Sequence, residues 1–155
     1  DGAIRERLPE DPRCNRLLIY GLEGEMFFGA TAALEMHFQN IERRVDEHTR
    51  AVVLRLKRAR NADAVGIALL GNFVERVQAR GVSVLLCGVR PHLARKLEKT
   101  GLAGRIEGPI FLEDEIRLTS TIRAIQYGYQ LINEPCPMCH CARGSAVEIP
   151  LHYVV

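Results

Sequence analysis

Between residues 17 and 132, short apolar runs alternate with stripes of helical period, and that alternation confines the chain to a sheet of mostly parallel strands. Parallel neighbours cannot be joined by a two-residue turn, so each connection must be a crossover, ordinarily a helix. The clearest strand is the run 82–87, bounded by Gly81 and Gly88. Upstream, 17–20 and 26–28 predict two strands joined by a tight turn through Gly21 and Gly24. From Thr31, read as an N-cap, Leu34, Phe38, Ile41 and Val45 fall on one helical stripe, with Glu35, Gln39, Glu42 and Arg43 away from it. Residues 51–56 read as a strand. Arg55 and Lys57 alternate onto one of its faces, which predicts that this face is open near the strand's end.

A second helix begins near Asp63, carries Leu70, Phe73, Val74 and Val77 on one side, and stops at Gly81. Pro91 suits the first turn of a third helix, which holds Leu93 and Leu97 and ends at Gly101. Ile110–Leu112 reads as a last short strand. Asp114 is read as opening a long helix with Leu118, Ile122, Ile125, Tyr129 and Ile132 on one stripe, ended by Pro135. The predicted order is β-β-α-β-α-β-α-(β)-α. This is an α/β domain, with a mostly parallel central sheet of four to five strands and about four helices. The chain divides into an N-terminal arm, 1–15, a folded unit, 16–133, and a Cys/Pro-rich tail, 134–155.

With 155 residues the chain suffices for one domain with its own core. A net charge of +2 gives no footprint for nucleic acid, and Arg55, Lys57, Arg58 and Arg60 read as a solvated patch. No apolar run approaches the ~20 residues that a membrane span needs. The first residue is Asp1 and not Met, which suggests a start inside a longer protein. Five cysteines, with Cys87 inside an apolar strand, fit a reducing compartment and favour the cytoplasm.

The loop Arg60-Asn61-Ala62-Asp63-Ala64-Val65-Gly66 leads from a strand's carboxyl end into a helix, where open parallel sheets place ligands. A helix N-terminus offers unpaired N–H groups and a positive dipole end. The plainer reading has Asp63 capping the helix and Gly66 permitting close packing, and it is compatible with a ligand. Asn61, Asp63, Ala64, Val65 and Gly66 are the candidate binding residues.

The stretch Val52-Val53-Leu54-Arg55-Leu56-Lys57-Arg58, continuing to Asp63-Ala64-Val65-Gly66, resembles the signature of STAS domains (sulfate transporter and anti-sigma antagonist). The earlier Tyr20-Gly21-Leu22-Glu23-Gly24-Glu25-Met26-Phe27-Phe28-Gly29-Ala30 is similar to that family's opening strand pair, most of all in the domain at the carboxyl end of SulP anion transporters. The run 81–88 and the helix through Gly101-Leu102 match its next strand and helix, so the resemblance spans roughly residues 16–132. It implies a STAS-like fold and a regulatory domain on the cytoplasmic face of the inner membrane, not an enzyme and without a cofactor. The implied partners are the transmembrane domain of the same polypeptide, a cytoplasmic protein, or a small anion or nucleotide. A homodimer of the full-length transporter is also implied. In the anti-sigma antagonist branch a phosphorylated Ser directly follows the Asp; here that place is Ala64, so a phosphate switch has no acceptor. The transporter branch does not need that Ser.

The tail Cys136-Pro137-Met138-Cys139-His140-Cys141 contains Cys-x-x-Cys-His, a pattern shared with c-type haem attachment and with zinc sites. Haem would need an axial partner, for which only His152 is near. Zinc could use Cys136, Cys139, Cys141 and either His140 or His152, but no second Cys-x-x-Cys completes the set. The expectation is a tail that holds no metal. His37 and His48 read as surface or boundary residues, His92 as a first-turn helix residue with no Ser or Cys nucleophile nearby and no Asp or Glu spaced to orient it, and Glu23 and Glu25 as solvated. No P-loop, Gly-x-Gly-x-x-Gly or nucleophile elbow occurs.

Overall fold

The computed structural model describes residues 4–6, 8–10, 13–116, 119–134, 136–138 and 151–153, the side chains of 4–6 and 151–153 excepted. In chain order the elements are β1 (Ile4–Glu6), β2 (Leu17–Gly21), β3 (Gly24–Glu25), α1 (Thr31–Arg44), β4 (Ala51–Arg55), β5 (Ala59–Arg60) and α2 (Ala64–Gln78). They continue with β6 (Ser83–Val89), α3 (Pro91–Lys99), α4 (Leu102–Arg105), β7 (Ile110–Leu112), α5 (Thr119–Gln130) and β8 (Leu151–Tyr153). The main sheet has the order β2-β4-β6-β7, with every neighbouring pair parallel. The fold expectation of a parallel α/β sheet is met.

The two central strands explain the sheet's two faces. All five residues of β4 are buried, and β6 is buried from Val84 to Val89. Val52, Leu54, Val84 and Leu86 point to one side, where Leu34, Phe38 and Ile41 of α1, Phe73 and Val74 of α2, and Leu97 of α3 cover them. Ala51, Val53, Leu85 and Cys87 alternate to the other side and meet Ala124 and Ile125 of α5. On the first side Phe38 stacks on Phe73 at 4.6 Å between ring centroids. On the second, α5 approaches closely because its inner face is small: a Cβ at Gly128 would lie 2.7 Å from Leu17 Cδ1.

Several expectations are corrected. Residues 26–28 form no strand and no hairpin with β2. Gly24 turns the chain at φ +112°, β3 pairs in parallel with β5, and Phe28–Ala30 is a short 3-10 turn into α1. Thr31 is the first helical residue and not the cap; the cap position is Ala30, which makes no side-chain capping bond. Strand β6 does not stop at Gly88 but runs through it as a bulge, with Gly88 at φ +65°. The face of β4 that carries Arg55 is not open: α5 packs against it and Arg55 is 9% exposed. Asp114 lies in a turn ahead of α5, where its carboxylate accepts from the Ile116 amide. The buried face of α5 is Ser120, Thr121, Ala124, Ile125 and Gly128, so Ile122 and Tyr129 are half-buried at its margins; Leu118 lies outside the described residues. The reason is proximity: a helix laid close on a sheet buries its small side chains and displaces large ones to the flanks.

Sequence reading placed no strand at either end, yet β1 and β8 pair in parallel. The start of the tail is tied to the sheet by Arg16 Nη2 to Glu134 Oε2 at 3.2 Å and by Cys136 Sγ to Asn15 Oδ1 at 3.4 Å. Of the tail's proposed ligand set, Cys139, His140 and Cys141 and the side chain of His152 lie outside the described residues.

Candidate functional site

The junction between β4 and α2 is built by two chain segments that brace one another. After β4, the Leu56 amide donates to the Cys87 carbonyl at 2.8 Å, and the Ala59 amide closes a turn onto the Leu56 carbonyl at 3.0 Å. Then β5 pairs with β3, and the Met26 amide donates to the Arg60 carbonyl at 2.8 Å. Arg58 bonds Glu23, while Arg60 reaches Glu25 at 3.3 Å, so each exposed cation of this stretch meets a carboxylate across the gap. Asn61 takes φ +51°, a left-handed conformation that Asn tolerates, and its amide nitrogen donates to Glu25 Oε2 at 2.6 Å.

Asp63 is the N-cap of α2. One carboxylate oxygen accepts from the Gly66 amide at 2.8 Å and the other from the Phe28 amide at 2.9 Å. The Asp63 amide in turn donates to the Met26 carbonyl at 3.0 Å. These bonds, Gly66 first and Phe28 second, hold the Asp63 carboxyl below its ordinary value of 3.8. The sign follows: the contribution of this cap is complete above the ordinary carboxylate value and is lost as pH falls below 3.8 through the depressed value. Asp63→Ala should therefore lower the melting temperature by about 3 °C at neutral pH and by less at about pH 2, read by calorimetry. Asp63→Asn, which keeps an acceptor, should fall between.

The five predicted residues do come together, but not as equals. Asn61, Ala64 and Val65 are exposed, Asp63 is partly so, and Gly66 is buried. A Cβ on Gly66 would lie 2.0 Å from the Met26 carbonyl oxygen, so Gly66 serves close approach of backbone and not contact with a ligand. The helix end is also less open than the dipole argument expected, because Asp63 already takes the Gly66 amide and places a negative charge there. Sequence reading missed Met26 and Phe28, which come from a segment far away along the chain. It also missed Lys96, whose ammonium bonds the Ala62 carbonyl and pins the loop from the α3 side. The available signal was the stretch 26–34, which has no ionisable side chain and contains Gly29.

Behind the loop lies a polar cluster at the carboxyl end of the sheet. Lys57 bonds Glu113; the other Glu113 oxygen accepts from Ser120 Oγ at 3.2 Å, and that hydroxyl accepts from the Gly88 amide at 3.2 Å. Cys87 Sγ lies 3.8 Å from Thr121 Oγ1. Burial pushes the Cys87 thiol up to about 12, against a smaller lowering by the Thr121 bond and by Arg55, so it is no nucleophile at neutral pH. Its stabilising effect is complete below its ordinary value of 9 and withdrawn as pH rises towards about 12. Native protein at pH 8 should leave Cys87 unalkylated by iodoacetamide, with site-resolved mass spectrometry as the readout, and urea should expose it. The cleft above, lined by Gly21, Leu22, Glu23, Arg55, Lys57 and Arg58, is shallow. Among the described residues no group of three His, Cys, Asp or Glu could hold a metal ion, and no helix is long and apolar enough to cross a membrane.

The model of one protein family, the STAS domain, matches residues 7–117. A putative sulfate transporter of Bacillus subtilis (strain 168), YvdB, is 26% identical over 110 residues, 71% of this chain; the chain spans about a fifth of that relative's length (20%). Among solved structures, a sulfate transporter family protein from Wolinella succinogenes superposes with a TM-score of 0.59 at 25% identity, over 81% of this chain and 93% of that one. The STAS domain of a SulP transporter from Vibrio cholerae superposes with a TM-score of 0.52 at 26% identity, over 78% and 88%.

Proposed function

This chain belongs to the STAS domain family, and from that premise we propose that it is the regulatory and interaction domain of a SulP-type inorganic anion transporter, for sulfate or a bicarbonate-like ion. It acts by binding and not by catalysis, on the cytoplasmic face of the inner membrane, and controls transporter assembly or activity. Its docking surface is the strand-to-helix junction at Asn61, Asp63, Ala64, Val65 and Gly66, with Gly66 shaping the backbone beneath. The partner is the transmembrane domain of the same polypeptide, a cytoplasmic protein, or a small anion or nucleotide, and the full-length protein is a homodimer. Within the chain, 1–15 is the connecting arm, 16–133 the folded unit and 134–155 the tail.

The observation that carries this reading is the accessible first turn of α2, with Ala64 and Val65 exposed beside a capped Asp63, in a chain related to transporter STAS domains. The rival is a soluble antagonist of the anti-sigma type. Ala64 counts against it, since a switch that adds about −2 charge at a helix N-terminus needs a hydroxyl there.

The test compares the full-length gene product with a version lacking residues 16–133. Uptake of labelled sulfate and bicarbonate into vesicles, and the amount of assembled transporter, should both be measured. A drop in either with the deletion supports the reading. Unchanged uptake and assembly would sink it, and phosphate transferred by a cognate kinase to a hydroxyl of this chain would turn the case to the rival.

A further inference from the structure

We propose that the exposed surface around the start of α2 docks onto an uncharged, apolar surface of the membrane-embedded part of the same polypeptide, and that the contact is apolar and not ionic. The inference rests on the transporter reading and specifies the chemistry of its docking contact. Phe28 is 72% exposed, Met36 62%, Phe27 39% and Val65 39%. Large apolar side chains so exposed within one small region mark a contact surface.

Geometry brings them together. The Phe28 amide bonds Asp63 at the N-terminal end, Phe38 stacks on Phe73 midway, and Glu42 pairs with Arg76 at 2.7 Å further on. Helices α1 and α2 therefore run side by side in the same direction, with their N-terminal halves adjacent. Neither 26–34 nor 64–74 contains an ionisable side chain. Glu25, Glu35, His37 and Asp63 border the surface; Glu25 is engaged by Arg60 and Asn61, and Asp63 by the Phe28 and Gly66 amides.

Charge decides among occupants. A phosphate, a free anion or an anionic lipid headgroup needs an uncompensated positive field. The nearest loop cations, Arg58 and Arg60, are paired with Glu23 and Glu25, and the dipole end of α2 faces the Asp63 carboxylate. Cytoplasmic loops of membrane proteins are rich in Lys and Arg, and would be met by a row of carboxylates. Among the described residues Glu25 and Asp63 here are already engaged, Glu25 by Arg60 and Asn61, which leaves Glu35 and no row of carboxylates, so the match is an apolar helix surface. The related transporter is about five times as long as the matched stretch, which leaves ample chain to supply one.

Hydroxyl-radical footprinting, read by mass spectrometry, tests this on the isolated chain and on the full-length protein in neutral-lipid nanodiscs. Oxidation of Phe28 and Met36 should fall by about fivefold or more in the full-length protein, while Ile116 and Met138 stay as reactive as in the isolated chain. The protection should be the same at about 0.05 and 0.5 M salt, because an apolar contact is not screened. Val65→Glu should abolish it, with Phe28→Glu as a second variant and circular dichroism confirming that each folds. Undiminished oxidation of Phe28 and Met36, or protection that disappears at high salt, would overturn the inference. If Leu112 and Ile116 are protected instead, the transporter reading stands and only this surface is wrong. A full-length product without membrane-embedded segments sinks both.

Discussion

Gly66→Ala is expected to destabilise the fold by about 3 kcal/mol, although alanine is the better helix former. The added Cβ would lie 2.0 Å from the Met26 carbonyl oxygen, and that oxygen belongs to a backbone that has nowhere to go. Met26 is wholly buried, and its carbonyl also accepts from the Asp63 amide. Relief of the clash must break that bond or lift the cap off the helix. The internal control is Gly71 of the same helix, where a Cβ would meet Arg105 Nη2 at 3.0 Å. That atom ends a flexible, exposed side chain, so Gly71→Ala should be neutral or slightly stabilising. Urea denaturation of the two variants decides the matter: equal midpoints would refute the close-approach role of Gly66.

Glu113→Ala is the second large effect, with an expected loss of about 2 kcal/mol. One carboxylate serves both Lys57, from the loop after β4, and Ser120, from the first turn of α5. Its side chain is 15% exposed and that of Lys57 31%, so the pair is partly shielded from water and worth more than a surface pair. Without the carboxylate, Lys57 keeps its charge in a half-buried place with no partner. The local consequence is as informative as the global one. Amide exchange at 56–63 should quicken in Glu113→Ala, while the centre of β4 is retarded as in the parent. Glu113→Gln, which keeps an acceptor for Ser120 but no charge for Lys57, should fall between the two. Unaltered exchange in the loop would mean that the cluster does not hold it.

Much of this fold could be read from residue order because its signals are local. Six residues rich in Val and Leu between glycines make a buried strand wherever they occur, and Pro91, Gly81 and Gly101 punctuate helices through their own dihedral limits. The Asp63 cap was legible for the same reason: donor and acceptor lie three residues apart. What failed was non-local. Residues 26–28 have strand composition, but Met26 bonds to a loop more than thirty residues away and leaves Phe27 and Phe28 outside. Arg55 reads as solvent-facing because two cations alternate there; nothing in the local pattern announces that a helix sixty residues later covers it. The stripe read for α5 is right at Ile125 and Ile132, which are buried, but its large members Ile122 and Tyr129 sit at the margins, because Gly128 and Ala124 are what a short helix–sheet distance demands. The exposed part of the site was legible as a junction, but not as a surface, since half of it is contributed by the segment before α1.

The strand order β2-β4-β6-β7 has one further consequence. Open sheets of this class make their deep ligand crevices at a reversal of strand order, where successive connections depart to opposite sides. Along these four strands the order never reverses, and α1, α2 and α3 all leave towards the same layer. Among the described residues these four strands therefore have no switch-point crevice. What they present at their carboxyl edge is relief, a terrace of loop tips and helix starts, and a scaffold of that kind is suited to being gripped by another macromolecule.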